Sequence, residues 1–290
     1  MKRLKGIGVF LIASASATNL VWPHGTGHSR IEQINKKFEQ DVDPAKIYLQ
    51  RAIIHADSKH WKEALTDLKR VQELRKQYRK DGTDSNVDDS ELAQADYWLA
   101  YVYFHQGNLE QAKETLDGYL ARHPRAVGAL SLNAKILTAL NNFFDAEREY
   151  DKAIVFSTQH SPDLYLARLA VQIEQDPMPL DRVETGVSLG IKRFGNLVVL
   201  LEPMVDLYVE SKLYNKALDK LDDYPEAVKS TPQWLFRKGE VLAIGQQAEL
   251  ARDYYGQVLK KIAELPEHRQ SIPAMKDLKS MAEKELKKLR

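Results

Sequence analysis

The chain has 290 residues, 43% of them hydrophobic and 29% charged, a balance that excludes an intrinsically disordered polymer. Its 42 basic and 41 acidic residues leave a net charge of +1, which removes the electrostatic footprint of a general nucleic-acid binder. It has no cysteine, so disulfide staples, thiolate metal sites and cysteine nucleophiles are excluded.

Lys2, Arg3 and Lys5 precede an apolar run from Gly6 to Ala17, which ends in small residues that fit an A-x-A cleavage rule at Ala13–Ala15 and Ala15–Ala17. The run is shorter than the ~20 residues a helix needs to span a bilayer. Residues 1–17 therefore read as a secretory signal peptide, with a mature chain starting near Thr18. Export to the periplasm or beyond the cell is the expected localisation, and no later stretch reads as a membrane span. Residues 18–43 form a lead-in with Trp22, Pro23, His24, Gly25, Gly27 and His28, followed by a helical segment from Ile31 to Phe38.

From residue 44 the chain reads as paired short helices. Tyr48, Ala52 and His55 mark one helix, and Trp61, Ala64, Leu68 and Val71 mark its partner. Residues 76–92 interrupt the pattern, basic at Lys76, Arg79 and Lys80 and then acidic at Asp81, Asp84, Asp88, Asp89 and Glu91. That stretch predicts a helix extension and a solvated loop. The best-marked pair runs from Tyr97 to Pro124. Leu99, Ala100 and Tyr103 share one face, Gly107-Asn108 stops the first helix, and Leu109, Ala112, Leu116 and Tyr119 form the second apolar face. A third pair carries Ala134, Leu137, Ala146, Tyr150 and Ala153.

The fourth pair is the least regular. It opens at Pro162 with Tyr165, Leu169 and Gln172, is split by Asp176-Pro177-Met178-Pro179, and continues from Leu180 to Arg193. Gly186 and Gly190 weaken that second helix by about 1 kcal/mol each relative to alanine. A fifth pair carries Leu201, Val205, Tyr208, Tyr214, Ala217 and Leu221, with Pro203 expected in the first turn of a helix starting near Leu200. A sixth carries Trp234, Leu235, Gly239, Leu242, Ala251 and Tyr255. Residues 263–290 end in a cap, whose apolar stripe is expected at Ala274, Leu278, Met281, Ala282 and Leu286.

Ala112 and Ala146 are 34 residues apart, as are Ala217 and Ala251. This period, with the large–small–aromatic alternation and the turns, resembles the tetratricopeptide repeat. The resemblance covers most of residues 44–262. It implies an all-α fold: a right-handed α-α superhelix (TPR-like solenoid) of about six helical hairpins with a C-terminal capping helix. It also implies a concave groove, lined by the first helices of the hairpins, that takes a protein or peptide.

On that reading Tyr97, Tyr101 and His105 line the groove at i, i+4 and i+8, with Trp98 and Phe104 at the flanks. Ser131 and Lys135 follow in the third pair, Glu202, Asp206 and Glu210 in the fifth, and Phe236, Arg237 and Glu240 in the sixth. The set lacks the Lys and Asn residues that clamp a peptide's C-terminal carboxylate in some family members. No hydrolase elbow, zinc-protease, phosphate-loop or dinucleotide motif is present, so a non-enzymatic chain without a cofactor is expected. The expected function is an exported scaffold for a protein or peptide partner of the bacterial cell envelope. The alternative is a metal-binding or metal-delivery protein that uses His24 and His28.

Overall fold

The computed structural model describes residues 27–40, 42–81, 89–159 and 161–289. The signal peptide, the first part of the lead-in with His24, and the acidic loop at 82–88 lie outside them. Among the described residues there are 16 α-helices and no strand. No described helix is long and apolar enough to cross a membrane. The chain divides into two units: the first runs to Gln159 and resumes over Asp163–Pro179, and the second holds His160–Pro162 and Leu180–Arg290.

In the first unit, α1 (Gly27–Asn35) is followed by a short 3-10 turn, Lys36–Glu39, which together replace the single segment expected at Ile31–Phe38. Ile34 is buried with Ile47 and Ile54 of α2 (Pro44–Asp57). Pro44 suits the first position of α2, where no N–H is needed, and Asp43 caps it by accepting from Ala45 N–H at 2.8 Å. The partner helix α3 (Trp61–Asp81) has 21 residues, so the basic half of the insertion is a helix extension. Tyr78 on that extension folds back, donating to the same Asp43 at 2.7 Å. Burial and this bond raise the phenol pKa to about 12.

Two further hairpins follow, α4 (Asp89–His105) with α5 (Leu109–Arg122), and α6 (Val127–Ala139) with α7 (Phe143–Phe156). The unit ends with α8 (Asp163–Ile173), packed on α7. The small residues Ala100, Ala112, Ala134 and Ala146 are all 0% exposed, the helix contacts that large side chains would prevent. Polar groups tie the helices as well. Asp96 accepts from Gln72 at 3.0 Å, Arg75 at 3.2 Å and Arg122 at 2.6 Å, joining α3, α4 and α5.

The second unit begins with α9 (Leu180–Phe194). The two helices of the irregular fourth pair, α8 and α9, thus belong to different units. Gly186 and Gly190 are buried in α9. Next come α10 (Val198–Glu210) and α11 (Tyr214–Asp222), the short α12 (Glu226–Lys229), the hairpin α13 (Pro232–Ile244) with α14 (Ala248–Ala263), the short α15 (Glu267–Gln270), and α16 (Pro273–Lys288). Because α10 starts at Val198, Pro203 is inside the helix rather than in its first turn. The lost N–H and ring clash cost about 3 kcal/mol in a regular helix. Burial of Leu200, Leu201, Met204 and Val205 offsets them. The cap α16 packs on α14 and α13. It buries Met275, Leu278 and Ala282, whereas Ala274 is exposed and Met281 is 45% exposed, so the stripe lies one residue away from its expected position at its start.

Five hairpin turns share one backbone solution. Lys59, Gly107, Asn141, Lys212 and Gln246 take φ between 59° and 79°. In each case the next residue's N–H returns to a carbonyl of the first helix, as in Asn142 to Leu137 at 2.8 Å and Leu213 to Tyr208 at 2.7 Å. A single left-handed residue followed by this bond satisfies carbonyls that a helix end leaves free.

Candidate binding faces

In the first unit, the first helices α2, α4 and α6 lie side by side. Residues at i, i+4 and i+8 share a helix face, so Tyr97, Tyr101 and His105 form one stripe of α4. Gly128, Ser131 and Lys135 form the facing stripe of α6. The two run in register. At one end a Cβ on Gly128 would meet the Tyr97 hydroxyl at 3.6 Å. At the other, Lys135 is close enough to His105 to lower the imidazole pKa. Asp57, the last residue of α2, acts electrostatically on both Tyr97 and Tyr101.

The rings form a connected wall. His105 stacks on Trp61 with centroids 4.8 Å apart and planes 3° apart. Tyr101 meets His105 edge-on at 4.4 Å and lies 6.3 Å from Trp61. Tyr97 is held by Trp98 at 5.5 Å and Tyr119 at 6.0 Å. Burial raises the Tyr97 phenol to about 12 and pushes Tyr101 up as well.

The expected groove residues separate into two groups. Trp98 is only 9% exposed and packs in the core with Leu99, Val102 and Leu68, and Phe104 is partly buried against Ala100 and Ala112. Trp98 therefore offers no free face, while Phe104 keeps part of its ring exposed. Tyr101, His105 and Lys135 stay accessible to differing degrees. Trp61, Asp57, Lys59 and Gly128 belong to the same face and were not singled out from the sequence. Trp61 opens its second helix as Leu109, Phe143 and Tyr214 open theirs, and that equivalence is the signal that points to it.

Lys135 is the unusual group. Burial alone depresses its pKa, with no carboxylate acting on it. It has no hydrogen-bond or ion-pair partner among the described residues. Burial first, then Lys135 and Lys59, lower the pKa of His105, so that imidazole is neutral near pH 7.

The second unit places its candidate residues differently. Arg237 on α13 donates through Nε to Glu202 at 2.9 Å, bonds Asp206 through Nη2, and pairs with Glu240 at 3.6 Å. Tyr224 donates to Glu202. Burial, then the neighbouring Asp206, raise the pKa of Glu210, and burial also raises Asp206 and Glu240 despite the arginine. Asp206 and Arg237 are therefore partners of each other, and Phe236 is buried at 8% exposure.

Among the described residues, no group of three or more His, Asp or Glu is placed to hold a metal ion. The His28 side chain lies outside them. His55 and His60 are close, with centroids 5.9 Å apart, and burial is the main cause that lowers His55.

Residues 94–126 match the family model of the tetratricopeptide repeat. No curated protein matches the sequence. Among solved structures, a tetratricopeptide repeat protein from Parabacteroides merdae is similar at 15% identity, covering 89% of this chain and 92% of that one, with TM-score 0.47. The type IV pilus biogenesis factor PilW is similar at 15% identity, covering 78% and 97%, with TM-score 0.47. The structure of Naa15/Naa10 bound to HypK-THB is similar at 15% identity and TM-score 0.50, covering 84% of this chain and 37% of that one. At these identities the likeness is one of fold. The chain carries a tetratricopeptide repeat at residues 94–126, set among further helical hairpins.

Proposed function

We propose that the chain is an exported, non-enzymatic scaffold that binds a protein or peptide segment on the α2–α4–α6 face of its first unit. The observation that carries this reading is the facing pair of stripes, Tyr97–Tyr101–His105 and Gly128–Ser131–Lys135. Rigid aromatic rings border a lysine, Lys135, that has no hydrogen-bond or ion-pair partner among the described residues. Aromatic side chains lose little entropy on binding and are frequent anchors at protein interfaces. Export rests on the basic and apolar pattern of residues 1–17.

Cross-linking and capture from a cell-envelope extract tests the binding role. One dominant partner is expected with the whole protein. Tyr101→Ala combined with His105→Ala, with helix content and melting temperature unchanged, should lose it. Undiminished capture by that variant overturns the assignment. Fractionation with mass analysis of the N-terminus tests export: a product starting near Thr18 outside the cytosol is expected, and a full-length cytosolic product overturns it.

A further inference from the structure

We infer that the segment bound by the first unit carries an acidic side chain next to an aromatic or aliphatic one, and that Lys135 receives the carboxylate. This rests on the scaffold reading above and adds the chemistry of the partner. A partly buried ammonium without a counter-charge is costly, because desolvation is not repaid by pairing. Lys135 on α6 is in that state in the free chain: it is half-buried and has no hydrogen-bond or ion-pair partner among the described residues, and burial depresses its pKa.

The charges around it have one sign at this end of the face. Lys135, two turns beyond Gly128, is level with His105, two turns beyond the Tyr97 that Gly128 faces, and neither Lys135 nor Lys59, which also acts on His105, has an ion-pair partner among the described residues. The carboxylate of the face, Asp57, is felt by Tyr97 and Tyr101 and is itself engaged electrostatically by Arg30 of α1. An incoming carboxylate would meet Lys135 in a semi-dry site, where charge-assisted hydrogen bonds are strongest. The adjacent ring wall of Trp61, His105 and Tyr101 supplies the apolar contact. A single half-buried lysine matches a single side-chain carboxylate and does not form a multi-point clamp for a chain terminus. The bound group is therefore an internal Asp or Glu.

Selection of a phage-displayed random dodecapeptide library on the whole protein tests this. The expected outcome is enrichment of sequences with Asp or Glu one to three positions from an aromatic or large aliphatic residue. A synthetic peptide from the enriched set should lose about tenfold in affinity when its acidic residue becomes the amide, and by a similar factor against Lys135→Met. Lys135→Met removes the costly charge and is expected to melt higher than the parent, so lost binding cannot be laid to unfolding. The C-terminal amide and free-acid forms of the peptide should bind equally. Enriched peptides without acidic residues, unchanged binding to Lys135→Met, or a requirement for the free C-terminus each overturn the inference while leaving the scaffold reading in place. No enrichment above background removes both.

Discussion

The candidate faces of the two units use similar residues to opposite ends. In the first, a lysine, a histidine and two tyrosines sit on α4 and α6 without mutual ion pairs. In the second, Arg237 is surrounded by Glu202, Asp206 and Glu240, and Tyr224 adds another bond to Glu202. A cation on a first helix can thus hold neighbouring hairpins together or wait for an outside partner. The difference lies in whether the adjacent hairpin presents carboxylates within reach, since charge on a surface stabilises little and paired charge out of water can stabilise or destabilise strongly.

The sharpest way to break this contrast is to remove the cation from each face. Arg237→Met leaves three carboxylates crowded on a half-buried surface and should lower stability by about 2 kcal/mol or more. Lys135→Met should raise it. Chemical denaturation of the two variants reads both signs, and a matching sign would sink the distinction. Next in size is Gly239→Ala. A Cβ there would lie 2.8 Å from Tyr255, whose ring is 1% exposed and has nowhere to swing. Such overpacking costs about 1–3 kcal/mol, measurable as a fall in the unfolding midpoint.

Acidification should change the stability of the two units in opposite directions. His55 and His105 have lowered pKa values, mainly from burial. Their folded state favours the neutral ring, so stability is lost as pH falls below the unfolded value of about 6.5. Burial raises Asp57 in the first unit, against Asp206, Glu210 and Glu240 in the second. The folded state there takes up protons first, so stability rises as pH falls toward the unfolded value of about 4. Hydrogen exchange corrected for intrinsic rates, compared at pH 7 and pH 5, should show relative loosening of α2 and α4 against α10 and α13. Equal changes in both would remove the comparison. The smallest effect is shared by the units. Gly118 on α5 and Gly256 on α14 are exposed, with nothing within 4 Å of an added Cβ. Gly118→Ala and Gly256→Ala should each stabilise by about 0.5–1 kcal/mol in thermal melts.

What could be read in the sequence follows from what is local. The 34-residue spacing and the small residues at Ala100, Ala112, Ala146, Ala217 and Ala251 are positions where any larger side chain would clash. All are fully buried. Trp98 and Phe104 show where that logic stops. On a helix with apolar residues on most sides, spacing alone does not say which ring faces the neighbouring hairpin. The Arg237 network was only partly legible: Glu240 is three residues away on the same helix, but Glu202 and Asp206 are 35 and 31 residues away and meet it through lateral stacking. One local signal went unread. Pro225, Ser230 and Pro232 recur 41 residues later as Pro266, Ser271 and Pro273, and each set frames a short helix before a long one, α12 before α13 and α15 before α16. Pro suits both positions because each opens a helix, where its missing N–H removes nothing.

The left-handed turns carry a consequence for how such a chain can change over time. Four of the five are closed by Lys, Asn, Lys and Gln, and one by Gly, so the bend is stored in the main chain and accepts side chains that are unbranched at Cβ. A hairpin defined by its backbone is an interchangeable cassette: it can be copied, reordered or grafted with its joint intact. Whatever the displayed residue then does, as Lys59 does beside His105, is free to diversify.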